Sequence, residues 1–150
     1  MAKSDLPARG HFPKVKLGKK VPKKAEALLI AAFEGDDGLE LPGTALLEGA
    51  ALRSTYEALV AVGATGKTGE VTRVPAPAKA GVASIIAVGL GDAEEVDDET
   101  LRRAAGQAAR SITKVDAVAT SLGDFGVAPV VEGLILGGYK YSGPVSYTHL

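Results

Sequence analysis

Two apolar runs constrain this chain more than anything else in it. Ala25–Phe33 is almost uninterruptedly hydrophobic and is closed by Gly35, Asp36, Asp37 and Gly38; Val82–Val88, rich in β-branched residues, ends at Gly89-Leu90-Gly91-Asp92. Runs this short, lacking polar alternation and bounded by turn residues, read as strands buried on both faces, although periodicity alone leaves a short helix open for the first. Strands covered on both sides need a helix layer above and below them.

The segments between the runs supply those layers. From Leu46 to Val62, Leu52, Tyr56, Leu59 and Val60 form a helical stripe, with Thr44 as the expected N-cap after Pro42 and Gly43. Gly63–Gly69 breaks it, and Glu70–Val74 reads as a strand that could pair with Val82–Val88 as a hairpin. A second helix opens at Asp97 or Asp98. With Asp97 as N-cap, Val96 and Leu101 take the staple positions. Leu101, Ala104, Ala105, Ala108 and Ile112 then share one face, while Arg102, Arg103, Gln107 and Arg110 point away. Val115–Thr120 is the next expected strand and Pro129–Tyr141 the last helix, with Pro129 in its first turn. Gly133, Gly137 and Gly138 weaken that helix, and close approach of its backbone to the sheet is the expected compensation. Val15–Leu17 reads as a short edge strand. The series predicts an α/β fold, a three-layer sandwich with a mixed sheet.

Composition narrows the function classes. The chain has 150 residues, 46% of them hydrophobic and 23% charged, which suits one globular domain. With 5% aromatics, Ala, Val, Leu and Ile must fill the core. The net charge of -1 gives no overall attraction to nucleic acid or membrane. Without cysteine there is neither disulfide nor thiolate metal site. No signal-peptide core and no membrane-length apolar run occur, so a cytoplasmic location is expected.

Motifs with chemical potential are few. Ala61–Thr68 matches a relaxed phosphate-loop pattern in which Lys67 would reach the outer phosphates. A helix precedes it and a strand follows, the reverse of the order such a loop needs, so a helix-to-strand turn is expected. Gly89-Leu90-Gly91 sits where a dinucleotide loop would sit, but Glu94 replaces the third glycine and Asp92, Glu94 and Glu95 would repel a pyrophosphate; a tight turn is the better reading. The acidic pairs Asp36/Asp37, Glu94/Glu95 and Asp97/Asp98 read as caps and solvated turns rather than cation ligands. His11 and His149 are the only histidines, and Thr120, Ser111 and Ser121 have no identifiable base. No catalytic, metal-binding or cofactor-binding residue is assigned. Lys14, Lys16, Lys19, Lys20, Lys23 and Lys24 form a basic cluster that reads as a solvated edge, with DNA contact as its alternative.

Three segments carry a family resemblance. Gly63–Pro77 resembles the mid-domain turn and strand of leucyl (cytosol) aminopeptidase N-terminal domains. Ile85–Asp92 with Asp98–Arg110 is similar to that family's strand and following helix, and Val131–Tyr141 resembles its closing helix, Glu-Gly-Leu-x-Leu-Gly-x-Tyr. They occur in the family's order and cover roughly 15–143. The resemblance implies a macro-domain-like scaffold over residues 1–144. It also implies a parent enzyme, a homohexamer with two Zn or Mn ions, that releases N-terminal residues, Leu preferentially, through a metal-activated water. The family's metal ligands and catalytic Lys and Arg lie in a C-terminal domain around an Asn-Thr-Asp-Ala-Glu-Gly-Arg motif. That motif is absent here, so the chain is expected to stop before the catalytic domain, to be inactive alone, and to have that domain as its partner. Residues 145–150 resemble a translated sequencing-adaptor tail and are expected to be non-native. The rival readings are a free-standing module for ADP-ribose or a nucleotide, and a nucleic-acid-binding domain.

Overall fold

The computed structural model describes residues 10–11, 20–112, 117–138 and 140–141. In chain order the elements are β1 (Gly10–His11), β2 (Ala27–Gly35), β3 (Gly38–Glu40), α1 (Gly49–Ala61), β4 (Val71–Pro75), β5 (Ser84–Gly89), α2 (Asp98–Ser111), β6 (Val118–Thr120), α3 (Val127–Gly137) and β7 (Lys140–Tyr141).

The two apolar runs are the adjacent central strands. β2 pairs in parallel with β5, Leu28 opposite Ile85 and Ala31 opposite Val88. On its other side β2 takes β6 in parallel along its first half and β3 antiparallel along its last three residues. β4 closes the far edge antiparallel to β5, as the hairpin reading expected, and carries Pro75, which an edge strand tolerates. The sheet is therefore mixed.

Alternation along β2 divides the core in two. Leu29, Ala31 and Phe33 face α2 and α3, joining Ile86, Val88, Leu101, Ala105, Ala108 and Val130. Leu28, Ile30 and Ala32 face the α1 side, with Ile85, Ala87, Leu39, Leu47 and Leu59. Every β2 residue from Ala27 to Phe33 is buried, which is why this strand shows no polar alternation. The result is the three-layer α/β sandwich.

Several boundaries move. Thr44 does not cap α1. Its hydroxyl accepts from the N–H of Leu46 and Leu47, closing a separate turn anchored by buried Leu47, and α1 begins only at Gly49. The buried stripe of α1 is also rotated: Thr55 and Leu59 are buried, while Tyr56 and Val60 are exposed. Thr55 can enter the core because its hydroxyl donates to the Ala51 carbonyl at 2.8 Å, leaving its methyl to pack. β3 was not foreseen; its side of the hairpin is only three residues long. The last helix stops at Gly137, and Lys140–Tyr141 instead pair with Gly10–His11, a long-range contact no local pattern announces. The strand expected over Val115–Thr120 is seen from Val118; residues 113–116, the strand expected at Val15–Leu17 and the tail 145–150 lie outside the described residues.

α2 follows its expectation closely. The Asp97 carboxylate accepts from the Thr100 N–H and hydroxyl, both at 2.8 Å, and these bonds hold its pKa below the ordinary aspartate value. Val96 and Leu101 join the same core cluster.

The glycines of α3 do allow close approach, but to α2 rather than to the sheet. A Cβ on Gly133 would lie 2.8 Å from the Ala105 Cβ and still closer to the Arg102 carbonyl; one on Gly137 would strike the Gly106 backbone. Since 133 meets 102–105 and 137 meets 106, the two helices run parallel here and touch through small residues. Gly133→Val is expected to destabilise the chain by about 2–3 kcal/mol through overpacking against α2. Urea denaturation checks this, and an unchanged midpoint would refute the contact.

Candidate functional site

Parallel α/β sheets hold ligands in the crevice outside the carboxyl ends of neighbouring strands whose connections leave toward opposite faces. β2 and β5 form such a pair. β2 leads through β3 to α1 on one face, and β5 leads to α2 on the other.

That crevice is filled by the chain itself. The segment 64–70 passes over it, hydrogen-bonded to the end of β5 and packed at Gly66 against the end of β2. Gly69 N–H donates to the Gly89 carbonyl at 2.9 Å, Gly89 N–H to Glu70 at 2.7 Å, and Gly91 N–H to Gly66 at 3.0 Å. Leu90 N–H donates to Ala32, and Glu34 N–H to Gly91. The approach is tight enough to demand glycine. Gly66 has φ +85, and a Cβ there would sit 2.9 Å from the Glu34 nitrogen and nearer still to the Phe33 carbonyl; one on Gly89 would meet Gly66 and Lys67.

The phosphate-loop-like motif is this plug. Its backbone donors already hold an anion, the side chain of Glu70. One Glu70 oxygen accepts from the Thr65 and Gly66 N–H groups at 2.8 and 2.9 Å, and the other from the Thr65 hydroxyl at 3.0 Å. Partial burial pushes the Glu70 carboxyl up, but those bonds and the Lys67 charge outweigh it and leave its pKa below the ordinary glutamate value. Lys67 is exposed, and β4 rather than a helix follows. Sequence reasoning read Glu70 only as the start of a strand. The available signal was a carboxylate four residues after a Thr-Gly pair, the spacing of a side chain folding back onto its own turn.

The other candidates are not gathered into one place. Gly89 ends β5 and Gly91 takes a positive φ in the turn beyond it. Asp92 caps the short 3-10 turn Ala93–Glu95 by accepting from Glu94 N–H at 2.9 Å; Asp36 and Asp37 lie in the β2–β3 turn. Ser111 donates to the Gln107 carbonyl and Thr120 to the Leu29 carbonyl. Ser121 is buried with no hydrogen-bond partner for its hydroxyl among the described residues. His11 falls in β1; His149 lies outside the described residues. Of the basic cluster, Lys20, Lys23 and Lys24 are exposed, and Lys14, Lys16 and Lys19 lie outside the described residues. Among the described residues no group of three or more His, Cys, Asp or Glu is placed to hold a metal, and no helix is long and apolar enough to cross a membrane.

An open groove of about 400 Å³ among the described residues lies where α2, α3 and Thr68–Gly69 of the 64–70 segment meet. Gly106 and Gly137 line its floor, with Arg102, Arg103, Arg110 and Leu136 around it. Arg102 pairs with Glu99 and, at 3.4 Å, with Glu132; Arg103 pairs with Glu99 at 2.7 Å.

Residues 29–143 match the family described as the cytosol aminopeptidase family, N-terminal domain. A probable cytosol aminopeptidase of Corynebacterium diphtheriae is 49% identical over 142 residues, a match spanning 95% of this chain and 28% of that protein. One from Corynebacterium glutamicum is 47% identical over 144 residues, again reaching 28% of that protein. The chain thus spans under a third of the length of the relatives it matches. Among solved structures, the bottromycin maturation enzyme BotP superposes with a TM-score of 0.52 at 22% identity, over 84% of this chain and 25% of that one. At that identity the likeness is one of fold.

Proposed function

The chain belongs to the cytosol aminopeptidase family, of which it carries the N-terminal domain, and from that premise we propose that it is the non-catalytic part of a two-metal aminopeptidase. The observation that carries the non-catalytic reading is the filled crevice: where this architecture would take a ligand, Glu70 and the 64–70 segment occupy the space and its donors. The two Zn or Mn ions and the groups that cleave the peptide are therefore assigned to the region beyond this domain in the longer polypeptide. That polypeptide is a cytoplasmic homohexamer releasing N-terminal residues, Leu in preference. The present domain serves it as a macro-domain-like scaffold over residues 1–144, and contributes to assembly.

Incubated with Leu-p-nitroanilide and added Mn²⁺ or Zn²⁺, the 150-residue chain is expected to release no p-nitroaniline above the blank. The full-length polypeptide is expected to do so, faster for Leu than for Ala or Phe. Metal-dependent turnover by these 150 residues alone would overturn the proposal. Calorimetry with ADP-ribose is expected to show no binding, since its phosphates would compete with Glu70; micromolar affinity would point instead to a free-standing nucleotide module.

A further inference from the structure

The turn between α1 and β4 does more than connect them. Thr65 and Gly66 present successive backbone N–H groups, 2.8 and 2.9 Å from the same Glu70 oxygen, and the Thr65 hydroxyl donates to the other oxygen at 3.0 Å. Successive amides converging on one point beside a left-handed residue form a concavity of the kind that binds phosphate groups. Gly66 is that residue, with φ +85. The Lys67 charge acts on the same carboxylate. Gly66 is buried, but Thr65 and Glu70 are only half-buried and Lys67 is exposed, so the concavity is within reach of solvent.

Backbone bonds that do not involve the Glu70 side chain set the shape of this concavity. Gly69 N–H donates to the Gly89 carbonyl, Gly89 N–H to the Glu70 carbonyl, Gly91 N–H to the Gly66 carbonyl, and Glu70 N–H to the Lys67 carbonyl. Truncating the side chain therefore vacates three donors without unseating the turn. Donors left without an acceptor are costly, so they take a replacement where one is offered. In the parent chain none is needed, because a carboxylate tethered four residues away has an effective concentration in the millimolar range. The same backbone bonds keep the β2–β5 crevice covered, so the vacated space suits the head of a small oxyanion and not a nucleotide.

We propose that this turn is an oxyanion site held closed by its own Glu70, whose side chain is a tethered competitor for a free, phosphate-sized anion. Amide NMR of the 150-residue chain tests this, with inorganic phosphate, acetate or chloride titrated at constant ionic strength to about 20 mM, a range set by the effective concentration of the tether. In Glu70→Ala the Thr65 and Gly66 amide resonances are expected to shift saturably with phosphate and with acetate but not with chloride, and in the parent chain with none of the three. Adding Lys67→Ala is expected to weaken phosphate binding about two- to fivefold, the worth of one exposed charge. Glu70→Gln preserves the shape of the side chain and guards against misfolding of the alanine variant; it is expected to bind phosphate saturably but more weakly, since its amide oxygen still competes. ADP-ribose is expected to bind Glu70→Ala no more tightly than inorganic phosphate, and tighter binding overturns the assignment to a free oxyanion. Absence of a saturable shift at Thr65 and Gly66 in both variants, or equal shifts in the parent chain or with chloride, overturns the site itself.

Discussion

Gly66→Ala is expected to lower the stability of the chain by about 3–4 kcal/mol, summing a positive-φ penalty and overpacking against backbone. Gly69→Ala is expected to cost only about 1–2 kcal/mol. The two glycines share the same φ of +85, so the conformational penalty is common to both. They differ in what a methyl group would meet. At Gly69 nothing lies within 4 Å; at Gly66 the Phe33 carbonyl and the Glu34 nitrogen stand in the way, and neither can move without disturbing the end of β2. A single domain is usually stable by about 5–15 kcal/mol, so Gly66→Ala takes a large share of it. Urea titration of both variants gives the comparison. Equal losses would mean that the 64–70 segment is not seated on the sheet as described, and the filled crevice would go with it.

Glu70→Ala is expected to cost about 2 kcal/mol at neutral pH, with Glu70→Gln costing about half as much. The carboxylate accepts from three donors, two of them backbone N–H groups, and Gly66 is buried. Alanine leaves those donors without an acceptor, whereas the glutamine amide retains one oxygen for them. Full charge-assisted values are not expected, because the carboxylate is only partly buried and solvent still screens it. The bonds lower the Glu70 pKa in the folded chain, so their contribution is complete above the ordinary value of 4.5 and is lost as pH falls through the lowered folded value. The stability difference between the parent chain and Glu70→Ala should therefore hold steady from neutral pH to about 5 and shrink below that. A difference that instead widens on acidification would show that Glu70 is not held as an anion in its own turn.

These two residues mark the divide between local and global information. The central strands were legible because burial on both faces leaves a continuous apolar run, and no other half of the pattern is needed to see it. α2 was legible because Asp97 and Thr100 lie three residues apart and its apolar face repeats at helical spacing, both properties of one turn of helix. The turn between α1 and β4 could be argued from element order alone. By contrast, a side chain such as Thr55 enters the core by bonding to its own helix, and composition cannot distinguish that from exposure.

The sequence by itself determined the alternation of buried strands and amphipathic helices, and with it the layered architecture, because each depends on periodicity within a single segment. Only the tertiary structure decided that Gly133 and Gly137 serve a helix–helix contact, that Lys140–Tyr141 pair with Gly10–His11, and that Glu70 folds back onto the donors of the turn between α1 and β4. Each of these depends on which backbone groups arrive opposite one another in space, and glycine and glutamate carry no mark of their eventual neighbours.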